Sequence, residues 1–299
     1  MYQKDILREY VKNSVLREHS ASLKVRLSKE LAKKYDKGIY DNYLKELQSN
    51  IESVESLNII LPGNANPVFY LYIVPDENFD AYLRIPPAFS GNKKGGKPVN
   101  CYDNDGFNSA YGISQNVAED FNPDVTIDKK VNNIHEVAHI FQHHFYMGNQ
   151  VFGEGFAETI PLYGLDLEKN FDKHKDLLRN LKEEDIRTAK ELIEESRNGN
   201  FGEKAYVEKS TCSFRESYIS SYLLVRGIIE TIKDNTNCSK EEAIQIFLEF
   251  IKSSPNNNEY LVADVADFIG VPIDMLLNGK DLQISTINKI IEEKQIITK

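Results

Sequence analysis

The chain has 299 residues, of which 41% are hydrophobic and 27% are charged, as in an ordinary globular protein. Its formal net charge of -10 argues against a nucleic-acid partner and an anionic membrane surface, and its three scattered cysteines exclude a disulfide framework or a cysteine-based zinc site. No apolar run has membrane-spanning length and the first residues are charged, so we expect a cytoplasmic protein with no membrane segment and no secretory signal.

The first part of the chain is predicted to be helical. Over residues 3–57, apolar residues recur at helical spacing in two stretches that Gly38 separates, which indicates a packed helical layer or, alternatively, a partner-binding coiled coil. From Ile59 onwards, short β-branched and aromatic segments bounded by proline and glycine predict strands. These segments are residues 58–63, 67–75, 82–85, 98–102 and 110–114.

Residues 133–142, NIHEVAHIFQ, contain the pattern H-E-x-x-H within a helical stripe of apolar residues. On an α-helix, His135 and His139 lie one turn apart on one face, where two imidazoles can bind one metal ion, and zinc favours such ligands. Glu136 lies beside this pair, in the position of a general base that acts on water. The alternative is a buried helix whose two histidines are four residues apart by chance.

The second half of the chain is predicted to be almost entirely helical. The metal helix should begin at a cap on Asp128 or Asn132 and end at Gly148. Apolar stripes then predict four further helices, over residues 173–197, 213–233, 239–252 and 272–293.

Two histidines leave a catalytic zinc site one protein ligand short of three. The metzincin pattern is excluded, because Gln142 and Phe145 occupy its glycine and its third histidine position. His143 continues the spacing of four, but three histidines on two straight turns converge poorly on one ion, and we expect His143 to be exposed. The remaining candidates are the acidic pair Glu154 and Glu158.

The segment GEGFAE, residues 153–158, resembles the sequence that follows H-E-x-x-H in gluzincin peptidases, the clan of thermolysin, aminopeptidase N and the bacterial collagenases. The resemblance implies that Glu154 is the third zinc ligand and that Glu158 orients one of the two ligand histidines through its outer ring nitrogen. It also suggests that Gly155 lets this segment lie close to the metal helix. Spacing alone favours Glu158, because fourteen residues separate His139 from Glu154 and the aminopeptidase N pattern has a longer gap.

The segment ESYISSYLLVR, residues 216–226, resembles the tyrosine-bearing helix of gluzincin-like domains. Tyr218 lies on the inward stripe of this helix, so its hydroxyl is predicted to stabilise the oxyanion formed during hydrolysis. A role as a core tyrosine is the alternative, with Tyr222 as the next candidate donor and His174 as a weaker one. The resemblance to the clan covers about residues 65–250.

The expected fold class is α+β with a zincin-like catalytic domain, in which a small sheet from residues 59–115 packs on the metal-binding helix and a mostly helical C-terminal lobe faces it across a cleft. The expected segments are an N-terminal helical segment, a β region with the metal-binding helices, and the helical lobe, at residues 1–57, 58–165 and 166–299.

The expected function is zinc-dependent hydrolysis of peptide or protein substrates, with Zn²⁺ held by His135, His139 and Glu154 and with Glu136 as general base. An aminopeptidase of the same clan is an alternative, although it needs an acid for the substrate amine and residues 63–66, GNAN, supply none. A metal-bound interaction module with little turnover is another alternative, in which Glu136 would have no task. No sequence pattern indicates an oligomeric state.

Overall fold

The structure is a computed structural model of the chain. It describes residues 10, 12–62, 68–76, 97–103, 106–124, 126–143, 145, 150–199, 201, 216–253 and 258–292. Contacts divide the chain into two compact units. The first unit is Met1–Ser53 with Leu61–Thr126, and the second is Val54–Ile60 with Ile127–Lys299.

A five-stranded mixed sheet lies in the first unit. Its strands are β1 (Ser14–Glu18), β2 (Leu23–Ser28), β3 (Phe69–Val74), β4 (Lys97–Asp103) and β5 (Gly106–Ser114), in the spatial order β1-β2-β3-β5-β4. The three inner strands are parallel, with Leu23 opposite Phe69 and Tyr70 opposite Ala110, and both outer strands pair antiparallel. Every residue of β3 is buried, which agrees with its continuous apolar sequence because a central strand is covered on both faces.

The prediction of helix over the first 57 residues is wrong for β1 and β2. In β2, Leu23, Val25 and Leu27 alternate with less buried residues and are fully buried, which is the period of a strand. A turn joins the two strands, and the Ser20 hydroxyl accepts hydrogen bonds from the backbone N–H groups of Ser22 and Leu23. The serine-rich turn thus makes a hairpin where continuous helix was expected.

Two helices follow β2, as the sequence predicts: α1 (Lys29–Tyr35) and α2 (Asp41–Glu55). Gly38 lies between them with φ +73°, a conformation that favours glycine. The strands predicted over 67–75, 98–102 and 110–114 are confirmed as β3, β4 and β5, and the segment 82–85 lies outside the described residues. Over 58–62 the predicted strand is absent, because the backbone N–H and C=O of Ile60 pair with the side chain of Gln245 instead.

Helices make up the second unit. After α3 (Gln115–Glu119) of the first unit come α4 (Ile127–His143), α5 (Gln150–Thr159), α6 (Asp172–Asn180), α7 (Ala189–Arg197), α8 (Glu216–Thr236), α9 (Lys240–Ser253), α10 (Asn258–Ile269), α11 (Ile273–Asn278) and α12 (Asp281–Glu292). A wide π-helical turn, Ile160–Gly164, directly continues α5. Most of α8 is buried, which agrees with apolar residues on nearly all of its faces.

Several helix boundaries differ from the sequence-based ones. The helix predicted over 173–197 is broken into α6 and α7, because Thr188 and Glu191 form a capping box that begins a new helix. The helix predicted over 272–293 is broken into α11 and α12, with Gly279 at the C-cap of α11. The structure also contains α10, where no helix was predicted.

The metal helix α4 begins at Ile127, so neither Asp128 nor Asn132 is its cap. Asp128 instead lies in the first turn, where its charge interacts favourably with the helix dipole. Gly148, its predicted end, lies outside the described residues. The combination of helices with one small sheet confirms the α+β class. Among the helices that the structure describes, none has both the length and the apolar character needed to cross a bilayer.

Candidate metal site

Helices α4 and α5 bring the three predicted ligands together. The Nε2 atoms of His135 and His139, one turn apart on α4, lie 3.0 Å from each other. From α5, the Oε2 atom of Glu154 lies 3.3 Å from each of these nitrogen atoms. Three potential ligand atoms therefore form a nearly regular triangle.

The size of this triangle matches that of a zinc site. Zinc binds imidazole nitrogen and carboxylate oxygen at roughly 2.0–2.2 Å, so neighbouring ligand atoms of a tetrahedral ion lie about 3.3–3.5 Å apart. The observed separations of 3.0, 3.3 and 3.3 Å are close to that value. Only small side-chain shifts separate the three atoms from zinc-ligand geometry.

The outer nitrogen atoms of both histidines face acceptors. His139 Nδ1 lies 2.9 Å from the carbonyl oxygen Oε1 of Gln142, and His135 Nδ1 lies 3.4 Å from Oε1 of Glu158. Because the Gln142 oxygen accepts a hydrogen bond, the neutral His139 ring carries its hydrogen on Nδ1 and points an Nε2 lone pair inwards, and a hydrogen on His135 Nδ1 would likewise face Glu158. Three electron-rich atoms thus face one point, an arrangement that a shared cation stabilises.

Electrostatics within the cluster favour positive charge. Burial lowers the pKa of His135, but the charges of Glu158, Glu154 and Glu136 outweigh it and raise this pKa to about 9. Burial likewise opposes protonation of His139, whose pKa is nevertheless raised, chiefly by Glu154. Burial favours the neutral form of Glu154, yet the two histidines hold the pKa of its carboxyl well below the usual range. The surrounding carboxylates therefore create a negative potential between the two rings.

Two glycines of α5 have separate tasks. A Cβ atom at Gly153 would lie 2.3 Å from the Gln142 side-chain nitrogen, so Gly153 leaves room for a residue of the metal helix. A Cβ atom at Gly155 would lie 2.5 Å from the backbone oxygen of Ser221 and 2.6 Å from Val225, both on α8. The prediction for Gly155 is therefore wrong: it permits close approach to α8, and Gly153 faces the metal helix.

A small pocket adjoins the metal cluster. It is lined by Glu158, Leu162, His174, Tyr218, Ile219 and Tyr222. The half-buried Tyr218 ring also packs on Phe201, with 5.5 Å between the ring centroids. The structure thus places Tyr218 in one pocket with Glu158, the residue that contacts His135.

Tyr222, the next candidate for the oxyanion donor, uses its hydroxyl in a buried hydrogen-bond network. Its hydroxyl donates to Oε1 of Glu168 at 2.9 Å and accepts from Nη1 of Arg226 at 2.8 Å. Glu168 also pairs with Arg226 and lies 3.1 Å from His174 Nδ1. This buried network occupies the Tyr222 hydroxyl. The side chain of His143 is not among those described.

Two features of the site lie outside the sequence-based prediction. Gln142 contacts His139 from the same helix, three residues on, and this spacing on one helix face was the available signal. The Glu168–Arg226 pair joins residues 58 positions apart in the sequence, and no local pattern indicates it.

The cluster consists of two imidazole nitrogen atoms and one carboxylate oxygen at metal-ligand separations, and Glu136 follows His135 directly on the same helix. Such a set of residues can hold a divalent metal ion next to a proton acceptor. Comparison of the chain with protein-family models, with curated proteins and with solved structures finds no match.

Proposed function

We propose that His135, His139 and Glu154 bind Zn²⁺ and that the protein is a zinc-dependent peptidase. The observation that carries the proposal is the convergence of two Nε2 atoms and one carboxylate oxygen within 3.0–3.3 Å of one another. Two histidines and one glutamate are a ligand set of catalytic zinc. When bound, the ion supplies a Lewis acid and lowers the pKa of its water.

The number of ligands supports a catalytic role. Structural zinc sites have four protein ligands, whereas catalytic sites have three and keep one position open. Among the side chains that the structure describes, His135, His139 and Glu154 form the one group of this kind. A three-residue set leaves room for water and for a substrate carbonyl.

Glu136 is the proposed general base. It follows His135 directly on α4 and is half-buried. Its negative charge is among those that raise the pKa of both histidines. As general base it accepts a proton from the attacking water and passes it to the leaving amine.

Tyr218 is the proposed oxyanion donor. The tetrahedral intermediate of peptide hydrolysis carries a negative oxygen, and a hydroxyl directed at that oxygen stabilises it. Tyr218 lines the pocket that Glu158 also lines, on the side of the cluster where His135 is held.

The test combines metal analysis with cleavage of a peptide library by wild type and by Glu136→Gln. We expect about one zinc per chain in both proteins and cleavage by the wild type alone, because the amide keeps the shape but accepts no proton. Equal cleavage by both proteins would exclude Glu136 as the base.

Two outcomes of the same test identify the alternatives. Zinc binding without any cleavage by the wild type would indicate a metal-bound interaction module. Cleavage of peptides with a free N-terminus, but not of their acetylated counterparts, would indicate an aminopeptidase. Absence of zinc from the wild type after dialysis against zinc would contradict the proposed site itself.

A further inference from the structure

Gln142 is the neutral partner of the second histidine. It lies on α4, it is only 4% exposed, and its Oε1 lies 2.9 Å from His139 Nδ1. A carbonyl oxygen only accepts, so His139 Nδ1 must donate the hydrogen of this bond. The bond thereby keeps the lone pair of the neutral ring on Nε2, which is the atom that faces His135 and Glu154.

The amide of Gln142 needs a glycine opposite it. A Cβ atom at position 153 would lie 2.3 Å from Gln142 Nε2 and 3.3 Å from Gln142 Cδ. Non-bonded heavy atoms essentially never lie within 3.0 Å of a real Cβ atom. An alanine at 153 would therefore displace the Gln142 amide. Gly153 therefore forms the space in which Gln142 lies.

We propose that Gln142 is a positioning residue of the metal site and that Gly153 is required because it admits the Gln142 amide. This inference deepens the proposed function and rests on it, since it assumes that His139 binds the ion. Gln142 acts through His139: it holds the ring rotation and the tautomer that direct Nε2 towards the ion. Loss of such a partner typically weakens metal affinity by about 10- to 100-fold.

The first test measures the zinc Kd, with zinc alone as the ligand, by competition with a chelator. Gln142→Met keeps the approximate volume and removes the acceptor, and we expect its Kd to rise by about 10- to 100-fold. The matched control is Gln283→Met, since Gln283 is also buried in this unit but donates to the backbone oxygen of Arg187. We expect both substitutions to lower the melting temperature of the metal-free protein and only Gln142→Met to change the zinc Kd.

The second test concerns Gly153. We expect Gly153→Ala to weaken zinc binding in the wild-type background, because the new methyl group displaces the amide. In a Gln142→Ala background the clash is absent, so Gly153→Ala should add little further loss. An equal loss in both backgrounds would overturn the role given to Gly153.

A spectroscopic measurement adds a readout that depends on ligand geometry. With Co²⁺ in place of zinc, we expect the d–d absorption of Gln142→Met to change and that of Gln283→Met to match the wild type. A zinc Kd and a Co²⁺ spectrum that Gln142→Met leaves unchanged would overturn the inference about Gln142 while the proposed zinc site stands. Absence of metal binding by the wild type would overturn both.

Discussion

Glu154 and Glu158 are the same residue type, one turn apart on α5, yet they contact different atoms. Glu154 reaches the Nε2 atoms of both histidines, and Glu158 reaches the outer nitrogen of His135. These contacts agree with Glu154 as the ligand, which the local sequence favours, rather than with Glu158, which the spacing favours. The contacted ring nitrogen thus distinguishes Glu154, the proposed ligand, from Glu158, which is proposed to orient His135.

The pair gives a direct test of this assignment. Glu158→Gln should weaken zinc binding by about 10- to 100-fold, because it removes a charged partner of His135. Glu154→Gln should weaken it more, since it removes a ligand. The zinc Kd of both variants is compared with that of Glu249→Gln, an exposed glutamate that pairs with Lys252. The assignment is reversed if Glu158→Gln loses zinc and Glu154→Gln retains it.

Tyr218→Phe tests the proposed oxyanion donor by removing one hydroxyl. We expect kcat to fall by about 10²–10³, as for loss of a comparable donor, with zinc content and melting temperature unchanged. Tyr222→Phe is the matched control, because its hydroxyl lies in the buried Glu168–Arg226 network. We expect Tyr222→Phe to lower the melting temperature, unlike Tyr218→Phe. An unchanged kcat in Tyr218→Phe would make Tyr218 a core residue.

At the scale of helices and strands, the contribution of local sequence can be separated from that of tertiary packing. The histidine pair could be predicted, because both residues lie on one helix and helix geometry fixes their spacing. The role of Gly155 could not be predicted. The directions of residues 153 and 155 around the helix axis differ by about 200°, and the sequence does not say which neighbouring helix lies on which side. Assigning Gly153 to α4 and Gly155 to α8 required the packed structure.

The N-terminal strands were missed for a different reason. Leu23, Leu27 and Leu31 are spaced by four, which suits one face of a helix and equally one face of a strand. Val25 is also fully buried, so burial at 23, 25 and 27 has the period of a strand. Leu31 belongs to the next helix, α1. The partners that stabilise β2 are β1 and β3, and β3 begins more than forty residues later, beyond the range of any local pattern.

The buried pairing between Glu168 and α8 gives a prediction about stability. Glu168 is 6% exposed and Arg226 is 1% exposed, and Tyr222 and His174 also contact the carboxylate. Arg226 keeps its buried ion pair with Glu230, so Glu168→Gln removes one of two carboxylates around the guanidinium and should lower the free energy of unfolding by about 1–3 kcal/mol at neutral pH. Denaturant unfolding measures this loss, and Glu249→Gln, in an exposed ion pair, should change stability by at most about 1 kcal/mol.

The effect of Glu168 should depend on pH. Burial alone raises the pKa of this carboxyl, but hydrogen bonding to His174 and the charge of Arg226 lower it below the usual range. A carboxyl whose pKa is lower in the folded state stabilises the fold above the unfolded-state pKa, about 4.3, and loses that contribution as pH falls through the folded-state value. The difference between wild type and Glu168→Gln should therefore shrink below about pH 4. A difference that stays constant down to about pH 3 would contradict the assignment of the charge to Glu168.

On the scale of the whole molecule, the three proposed metal ligands all belong to the second compact unit. A ligand that binds only the folded state stabilises it, by about 2.7 kcal/mol at a hundred times its Kd. Zinc should therefore raise the melting temperature of the wild type and leave that of His139→Ala unchanged. His19→Ala, in the first unit, is the matched control and should keep the shift. An equal shift in His139→Ala would mean that zinc binds elsewhere.

The wide turn at Ile160–Gly164 limits how the length of this region can change. Glu154 is held at one end by the two histidines, and Glu168 is held at the other by Arg226. Each residue added to or removed from a helix rotates all later residues of that helix by about 100°. A residue inserted or deleted between Glu154 and Gly164 therefore rotates the chain that leads to Glu168 relative to Glu154. Substitutions keep this relation between the two carboxylates, whereas a single-residue insertion or deletion between Glu154 and Gly164 would turn one of them away from its partners.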